Sequence, residues 1–533
     1  MENISLDNFR ENFSLQAENV HINGFISKQG VANFLGIPYA QFPARFRTAR
    51  RVELGLLRGQ LDALRYGPRC PQKTDNIHPM MHHMFEKLSM SQRCDETTCL
   101  HLNIYAPPES VGVAKRSSLP AFVYIHGGGF NNGDNTTEFD GNHLVRRSMD
   151  LGMPIIIVTL NYRLNIFGFL GSKELIEEAK SLGETPVLNQ GLNDQRLGLE
   201  WIQRSIHFFG GDPSRVTLSG ESAGAASVFC HLRGGHALFQ QALIQSSPRP
   251  RLRTLGEAQA AFDQLSISAG IASHATGSEK LAGLRALSPD RLLELFDGSV
   301  SMPIEDSNWF EQQLKQGGNG SSASWFDLPK WCSRIIMGYT KDEAALFLTP
   351  FQNLPDAALV DYVRKLVPDI GDDALFSNGK SALQTLTEWA TEETFVKPTM
   401  DMLSEAAKQG TTVYAYEIFV VDPFPGPLHG YSWHSFGVPL TFYEPPARVY
   451  AQIAATQDKM SRAHIKFFHD LEPWEAFSAG RRKMRWNGEQ TQLVDTSVAE
   501  RREEDDKVLN LTCRTSKGTG QEIIAAALKM QTS

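Results

Sequence analysis

The sequence predicts an α/β fold built on a large, mostly parallel central sheet with helices on both faces. Three observations point there. Short β-rich runs alternate with helical stretches through the first half of the chain. The runs are apolar throughout, as strands covered on both faces are. Neither an internal repeat nor a Pro/Gly/Ser-rich linker divides the sequence.

Residues 120–126 (PAFVYIH) and 154–160 (PIIIVTL) read as buried strands that end in turns. Residues 194–208 space Leu197, Leu199, Trp201, Ile202 and Ile206 as a packed helix does. Gly210-Gly211-Asp212-Pro213 then breaks the chain, and 215–219 (RVTLS) resumes as a strand. A small-residue helix follows at 223–232 (AGAASVFCHL), then a strand at 242–245 (ALIQ). The second half is more helical, over 256–296 and 355–408, with two further strands at 334–339 (RIIMGY) and 413–419 (VYAYEIF). Residues 315–325 (KQGGNGSSASW) read as a loop. Large α/β sheets lengthen by helical insertion, so residues 1–533 are expected to form a single domain with a helical lid.

Composition narrows the function. Hydrophobic residues make up 41% and charged residues 21% of the 533, which excludes disordered and collagen-like chains. Six cysteines in this length exclude a disulfide-dense miniprotein. Lys plus Arg is 52 against 60 for Asp plus Glu, a net charge of -8, which gives no electrostatic reason to bind nucleic acid. The N-terminal residues mix acids and bases without the apolar core of a secretory signal, and the longest apolar run, 154–160, is too short to span a bilayer. A cytoplasmic protein without a membrane span is the expectation. The residues do not choose between a monomer and a homodimer.

The strongest local motif is Gly220-Glu221-Ser222-Ala223-Gly224. A G-x-S-x-G pentapeptide makes a sharp strand-to-helix turn that lifts the serine hydroxyl into the open. Chance supplies roughly 0.2 of these in a chain this long, so its context decides: a strand precedes it and a small-residue helix follows. The second motif is His126-Gly127-Gly128-Gly129-Phe130, directly after a strand. Consecutive glycines let backbone N–H groups approach a substrate oxyanion closely, with Gly128, Gly129 and Ala223 as the expected donors.

With FLGIPYAQFPARF (34–46), TCLHLNIYAP (98–107), NYRLNIFGFL (161–170), NQGLNDQ (189–195), FGGDPSRVTLSGESAGA (209–225) and ALIQSS (242–247) in order around these motifs, the chain resembles the type-B carboxylesterases, a family that includes the cholinesterases. The resemblance runs from about residue 20 to residue 440. It implies an α/β-hydrolase fold, a carboxylic ester hydrolase activity without a cofactor or metal, a small-molecule ester as partner, and a Ser-Glu-His triad in that chain order.

Ser222 is the implied nucleophile. The strand RIIMGY leads into Thr340-Lys341-Asp342-Glu343-Ala344, similar to the family's K-D-E-G turn, which points to Glu343 as the acid and leaves Asp342 as its alternative. Ala344 stands where the family has Gly. Two histidines lie where the family places its base, His429 and His434. His434 is preferred, because Val438, Pro439 and Phe442 then align without a gap, although Gly437 occupies a usually acidic position. Cys70 and Cys99 match the family's first disulfide, with Cys94 as a competing thiol; a reducing cytosol would leave that bridge open.

Other polar clusters have plainer readings. His78, His82 and His83 lack a completing ligand set and read as a solvated loop. Asn193, Asp194 and Gln195 read as structural cross-links, and Ser246 as a buried structural hydroxyl. The charge run after residue 495 reads as a solvated face followed by a docking helix.

The residues between Cys70 and Cys99 contain Met and Phe but no Trp. The cholinesterases carry there a Trp whose π-face binds quaternary ammonium, so a medium-sized hydrophobic ester is expected instead of a choline ester. Acyl transfer or cyclisation in secondary metabolism would use the same residues. A non-catalytic cholinesterase-like interaction protein is the remaining alternative, and it would be expected to lose the serine that is present here.

Overall fold

The computed structural model describes residues 9–73, 78–85, 93–112, 118–248, 251–296, 298, 302–314, 328–366, 380–496, 523–525 and 527. Contacts group the chain into two compact units. The first holds residues 1–74, 88–242 and 250–332; the second holds 75–87, 243–249 and 333–533.

In the first unit, the strands that carry the predicted motifs pair in parallel: Ile156–Leu160 with Leu119–Ile125, and Leu119–Ile125 with Gly211–Glu221. Residues Ala121 to Ile125 and Ile156 to Leu160 are all buried, which accounts for their unbroken apolar character. The predicted chain break at 210–213 is instead a strand irregularity. Gly211 already pairs with Leu119, and the register shifts between Gly211 and Val216. On the other side, Phe9–Ala17, Val20–Ser27, Ala32–Pro38 and His101–Ala106 form an antiparallel series ending on Ile156–Leu160. The helix Gln190–Ser205 confirms the predicted periodicity, with Leu197, Leu199, Trp201 and Ile202 buried.

The second unit repeats the α/β logic. Arg334–Thr340 pairs in parallel with Thr412–Ile418, which pairs in parallel with Arg482–Trp486. Of the helical stretches predicted in the second half, 256–296 lies in the first unit as helices Leu255–Ser268, Gly277–Ala286 and Pro289–Leu295, while in the second unit Asp356–Leu366, Ala382–Thr391 and Lys397–Lys408 are helical and 367–379 lie outside the described residues. Thr254 with Glu257, Thr276 with Glu279 and Ser381 with Gln384 each form a reciprocal capping box. Ile523, Ile524 and Ala527 are buried with Leu348, Phe351, Leu359 and Leu386, so this C-terminal stretch does pack on the second unit. The expected loop 315–325 and the charge run before residue 508 lie outside the described residues.

Three buried histidines make folding sensitive to acid. Burial lowers His101 to about 4 and His231 and His464 to about 3, so each stays neutral in the native state. Neither ring nitrogen of His464 has a hydrogen-bond partner among the described residues. The unfolded chain takes up these protons below about pH 6.5 while the native chain does not. Stability is therefore full above that pH and falls on acidification, by up to about 1.4 kcal/mol per pH unit for each histidine. Urea unfolding at pH 7 and pH 5 checks this with His464→Leu. The variant should be the more stable at both pH values and should lose less on acidification, and an equal loss in both proteins would refute the assignment.

Candidate active site

In the first unit a single residue, Ser222, joins the strand Gly211–Glu221 to the helix Ala223–Gly234. Its φ of 55° and ψ of -120° are strained for a residue with a side chain, at a cost on the order of 1–3 kcal/mol. The turn closes only because its neighbours lack side chains. A Cβ on Gly220 would lie 2.3 Å from the Gly224 carbonyl carbon, and one on Gly224 would lie 2.1 Å from the Ile125 oxygen. Ser222 thus stands at a helix N-terminus, where the first backbone N–H groups, including that of Ala223, have no intrahelical acceptor.

The loop after the strand Leu119–Ile125 lies against this turn. A Cβ on Gly127 would come within 3.1 Å of Ser222 Cβ. Gly128 turns the chain at φ 97°, and the same missing Cβ would lie 2.2 Å from the Asn132 oxygen. Several groups fix the loop. The Gln72 side chain accepts from the Gly133 N–H at 2.8 Å and donates to the Gly133 carbonyl at 2.9 Å. The His126 ring stacks on Tyr162 with centroids 4.5 Å apart, and the Tyr162 hydroxyl donates to the His126 carbonyl. Asp134 pairs with Arg69 at 2.6 Å. Burial opposes the Asp134 charge, but Arg69 and the Thr136 donors prevail and hold its carboxyl below the usual range. The structure thus sets Gly127, at the start of the glycine loop, against Ser222.

Cys70 and Cys99 are buried, unpaired thiols in this unit. Cys70 accepts the Leu164 N–H at 3.3 Å, and hydrogen bonding to Cys70 together with burial holds the Cys99 thiol well above its ordinary value. Cys94 is exposed and also unpaired. Asp194 makes a two-pronged ion pair with Arg163, both contacts at 2.7 Å, as a structural cross-link would.

In the second unit, Glu343 opens a short turn just after the strand Arg334–Thr340. It is fully buried, accepts the Thr340 N–H at 2.7 Å through Oε1, and lies 2.6 Å from His434 Nδ1 through Oε2. The His434 ring sits 4.9 Å from the rings of both Phe347 and Phe395, so it is flanked by apolar surface. Asp342, the alternative acid, instead accepts the Ser432 N–H at 2.9 Å, and burial pushes its carboxyl up. His429 is exposed and bonds the Phe424 carbonyl at 3.0 Å. Ala344 packs into an apolar cluster with Leu348 and Trp389, and its N–H reaches Thr391 Oγ1, so the methyl group is accommodated.

One expectation is corrected. His83 is not part of a solvated loop: its Nε2 lies 2.8 Å from the fully buried carboxylate of Asp422, and its ring lies 4.9 Å from that of Phe424. The described residues hold no cluster of three potential metal ligands. Sequence reasoning also missed Gln72, Phe347, Phe395 and Asp422. Each acts on a partner distant in sequence, and no local pattern marks it.

A model of the carboxylesterase family matches residues 12–471. The chain belongs to the carboxylesterase family. It is 30% identical over 461 residues to an acetylcholinesterase of Bungarus fasciatus, covering 77% of this chain and 70% of that relative. It is 31% identical over 354 residues to a para-nitrobenzyl esterase of Bacillus subtilis (strain 168), covering 63% and 64%. A lipase of Diutina rugosa, Lipase 5, is 33% identical over 360 residues and covers 62% of each chain. The solved structure of a thermophilic PNB esterase superposes with a TM-score of 0.71 at 23% identity, over 93% of this chain and 99% of the other, which shows the shared α/β-hydrolase fold. By family this carboxylesterase is a carboxylic ester hydrolase. No helix among the described residues is long and apolar enough to cross a membrane.

The elbow geometry yields a paired test. In this carboxylesterase, Gly224→Ala drives a methyl group into the Ile125 carbonyl and should cut fluorophosphonate labelling of Ser222 by about 100-fold or more, with a lower melting temperature. Gly256→Ala, in the helix Leu255–Ser268, meets only Thr254 Oγ1 at 3.8 Å and should leave labelling unchanged while stabilising by up to about 1 kcal/mol. Equal labelling of the two variants would contradict the close-approach argument.

Proposed function

We propose that this carboxylesterase hydrolyses uncharged, medium-sized hydrophobic carboxylic esters through an acyl-enzyme on Ser222. The observation that carries the reading is the buried bond between Glu343 and His434 Nδ1, at 2.6 Å. A carboxylate on Nδ1 fixes the tautomer that leaves Nε2 able to accept a proton, and it stabilises the imidazolium once formed.

Ser222 Oγ attacks the acyl carbon as His434 Nε2 takes its proton. The carbonyl oxygen becomes an oxyanion received by the N–H groups of Gly128, Gly129 and Ala223, each worth about 10²- to 10³-fold in rate. The bond to the alcohol oxygen then breaks, and His434 returns the proton to the leaving alcohol. Water repeats the sequence at the acyl carbon, with His434 as its base, and releases the carboxylic acid and free Ser222. Phe347 and Phe395 pack beside the imidazole as apolar neighbours.

The substrate class rests on what lines the chain between Cys70 and Cys99. Without a Trp there, no indole face is offered in that segment to a quaternary ammonium group, although one relative is named an acetylcholinesterase. The Met and Phe side chains of the segment suit an apolar acyl or alcohol group.

Hydrolysis of p-nitrophenyl butyrate and fluorophosphonate labelling test the assignment together. Ser222→Ala should abolish labelling, and both it and His434→Gln should lower turnover by about 10⁴- to 10⁶-fold. His429→Ala should stay within twofold of wild type. The reverse pattern for the two histidines would overturn His434 as base. Acetylcholine should be cleaved more slowly than its uncharged analogue 3,3-dimethylbutyl acetate, and the opposite order would overturn the substrate class.

A further inference from the structure

Ser432, Trp433 and His434 are three consecutive residues outside any helix or strand, and each is tied to a different buried carboxylate. The Ser432 N–H donates to Asp342 at 2.9 Å, the Trp433 indole N–H donates to Asp422 at 2.8 Å, and His434 Nδ1 meets Glu343 at 2.6 Å. The first and last contacts flank the imidazole. The middle one has no counterpart in the mechanism above.

Asp422 is fully buried, as is Trp433. Its Oδ1 accepts the Phe424 N–H at 2.9 Å, and its Oδ2 takes both the Trp433 indole and His83 Nε2 at 2.8 Å. Its backbone closes the same loop from below: the Asp422 N–H donates to the Tyr431 carbonyl and the Gly430 N–H donates to the Asp422 carbonyl, both at 2.8 Å. A carboxylate without water around it is costly unless every contact is supplied, and here three donors converge on it. An apolar side chain would fill the same space more cheaply. It could not fix the rotation of the Trp433 indole, one residue from the imidazole.

His83 completes the set. Its side chain is 30% exposed and sits at a cleft of about 330 Å³ that Met80, Phe424, Leu428 and His429 also line. His83 bonds Asp422, and Glu343 bonds His434.

We propose that Asp422, with His83 as its partner, is a positioning residue that holds the base His434 in line through the Trp433 indole. The inference rests on the reading of His434 as base. Loss of the Asp422–Trp433 bond lets the loop shift, which loosens the bond between His434 and Glu343. Alignment and imidazolium stabilisation fall together, so kcat drops while KM does not change, and the base protonates at lower pH.

The test compares Asp422→Leu, Asp422→Asn, His83→Gln and Trp433→Phe, with Ser222→Ala and His434→Gln as controls. The readouts are kcat and KM for p-nitrophenyl butyrate, the fluorophosphonate labelling rate and the pH profile of kcat/KM. Asp422→Leu and Trp433→Phe should each lower kcat and labelling about tenfold, with KM within twofold and the acid limb moved to lower pH. Their double variant should be no worse than the poorer single one, since both remove one bond. Asp422→Asn, which keeps an acceptor for the indole, should recover most of the loss, and His83→Gln should give a smaller fall. Trp433→Phe keeps a ring in place, so it remains informative if Asp422→Leu fails to fold. A kcat within twofold of wild type in folded Trp433→Phe, or an unmoved acid limb, would overturn the positioning role. Activity that survives in His434→Gln would instead overturn the base assignment itself, whatever the Asp422 variants do.

Discussion

The arrangement of the second unit depends on one interaction, the buried bond between Glu343 and His434. A carboxylate with no exposed surface is tolerated only when donors replace its lost water. The Thr340 N–H supplies one donor and the imidazole the other, at 2.7 and 2.6 Å. The strand Arg334–Thr340 therefore cannot end elsewhere: Thr340 must finish the strand and cap the carboxylate three residues on. Ala344 follows from the same demand. Its methyl group joins the apolar cluster below, while its N–H is taken by Thr391. The family's glycine is dispensable here because space, not backbone conformation, decides the position.

The first unit solves a different problem, which is steric. Ser222 is held at positive φ by a strand and a helix that meet without a linker. That strain persists because the packing around it leaves no alternative: the Gly224 backbone touches Ile125, and the glycine loop after Ile125 touches Ser222. The Gln72 side chain and the stacked His126 and Tyr162 rings then keep the loop from relaxing. Rigidity matters to the oxyanion role proposed for this loop, because such donors help only when they are in place before the charge develops.

What was legible in the sequence follows from this contrast. The elbow and the glycine loop are requirements on neighbouring residues, so they leave short, dense patterns that can be read without a structure. Glu343 was legible through the resemblance of Lys341-Asp342-Glu343-Ala344 to the family's K-D-E-G turn, which left Asp342 as the alternative. The choice between His434 and His429 was harder, because the evidence lies 91 residues away at Glu343. His83 and Asp422 are separated by 339 residues, and nothing in the sequence near either one marks the other. Among the N-terminal antiparallel strands, Phe9–Ala17 was illegible for a different reason: it exposes most of its side chains, so it lacks the apolar run that marked the other strands.

The use of carboxylates around the base has a physical rationale in the loop that carries it. Residues 419–436 belong to no helix or strand, and an isolated bridge between Trp433 and Asp342 stands in place of the ladder that holds Ser222. Side-chain carboxylates add to that bridge. Apolar packing excludes water but is non-directional, and it tolerates small slides of one group past another. A hydrogen bond to a buried carboxylate is short and directional, and in a low-dielectric setting it is costly to leave unmade. Such bonds fix Ser432 and His434 directly and Trp433 through its indole, which suits the role of base proposed for His434. The penalty for burying three acids is offset by donors drawn from four separate places in the chain: Thr340, Phe424, the pair Ser432 and Trp433, and His83. An arrangement with that many independent contributors is overdetermined, and overdetermination is what a catalytic loop without regular structure requires.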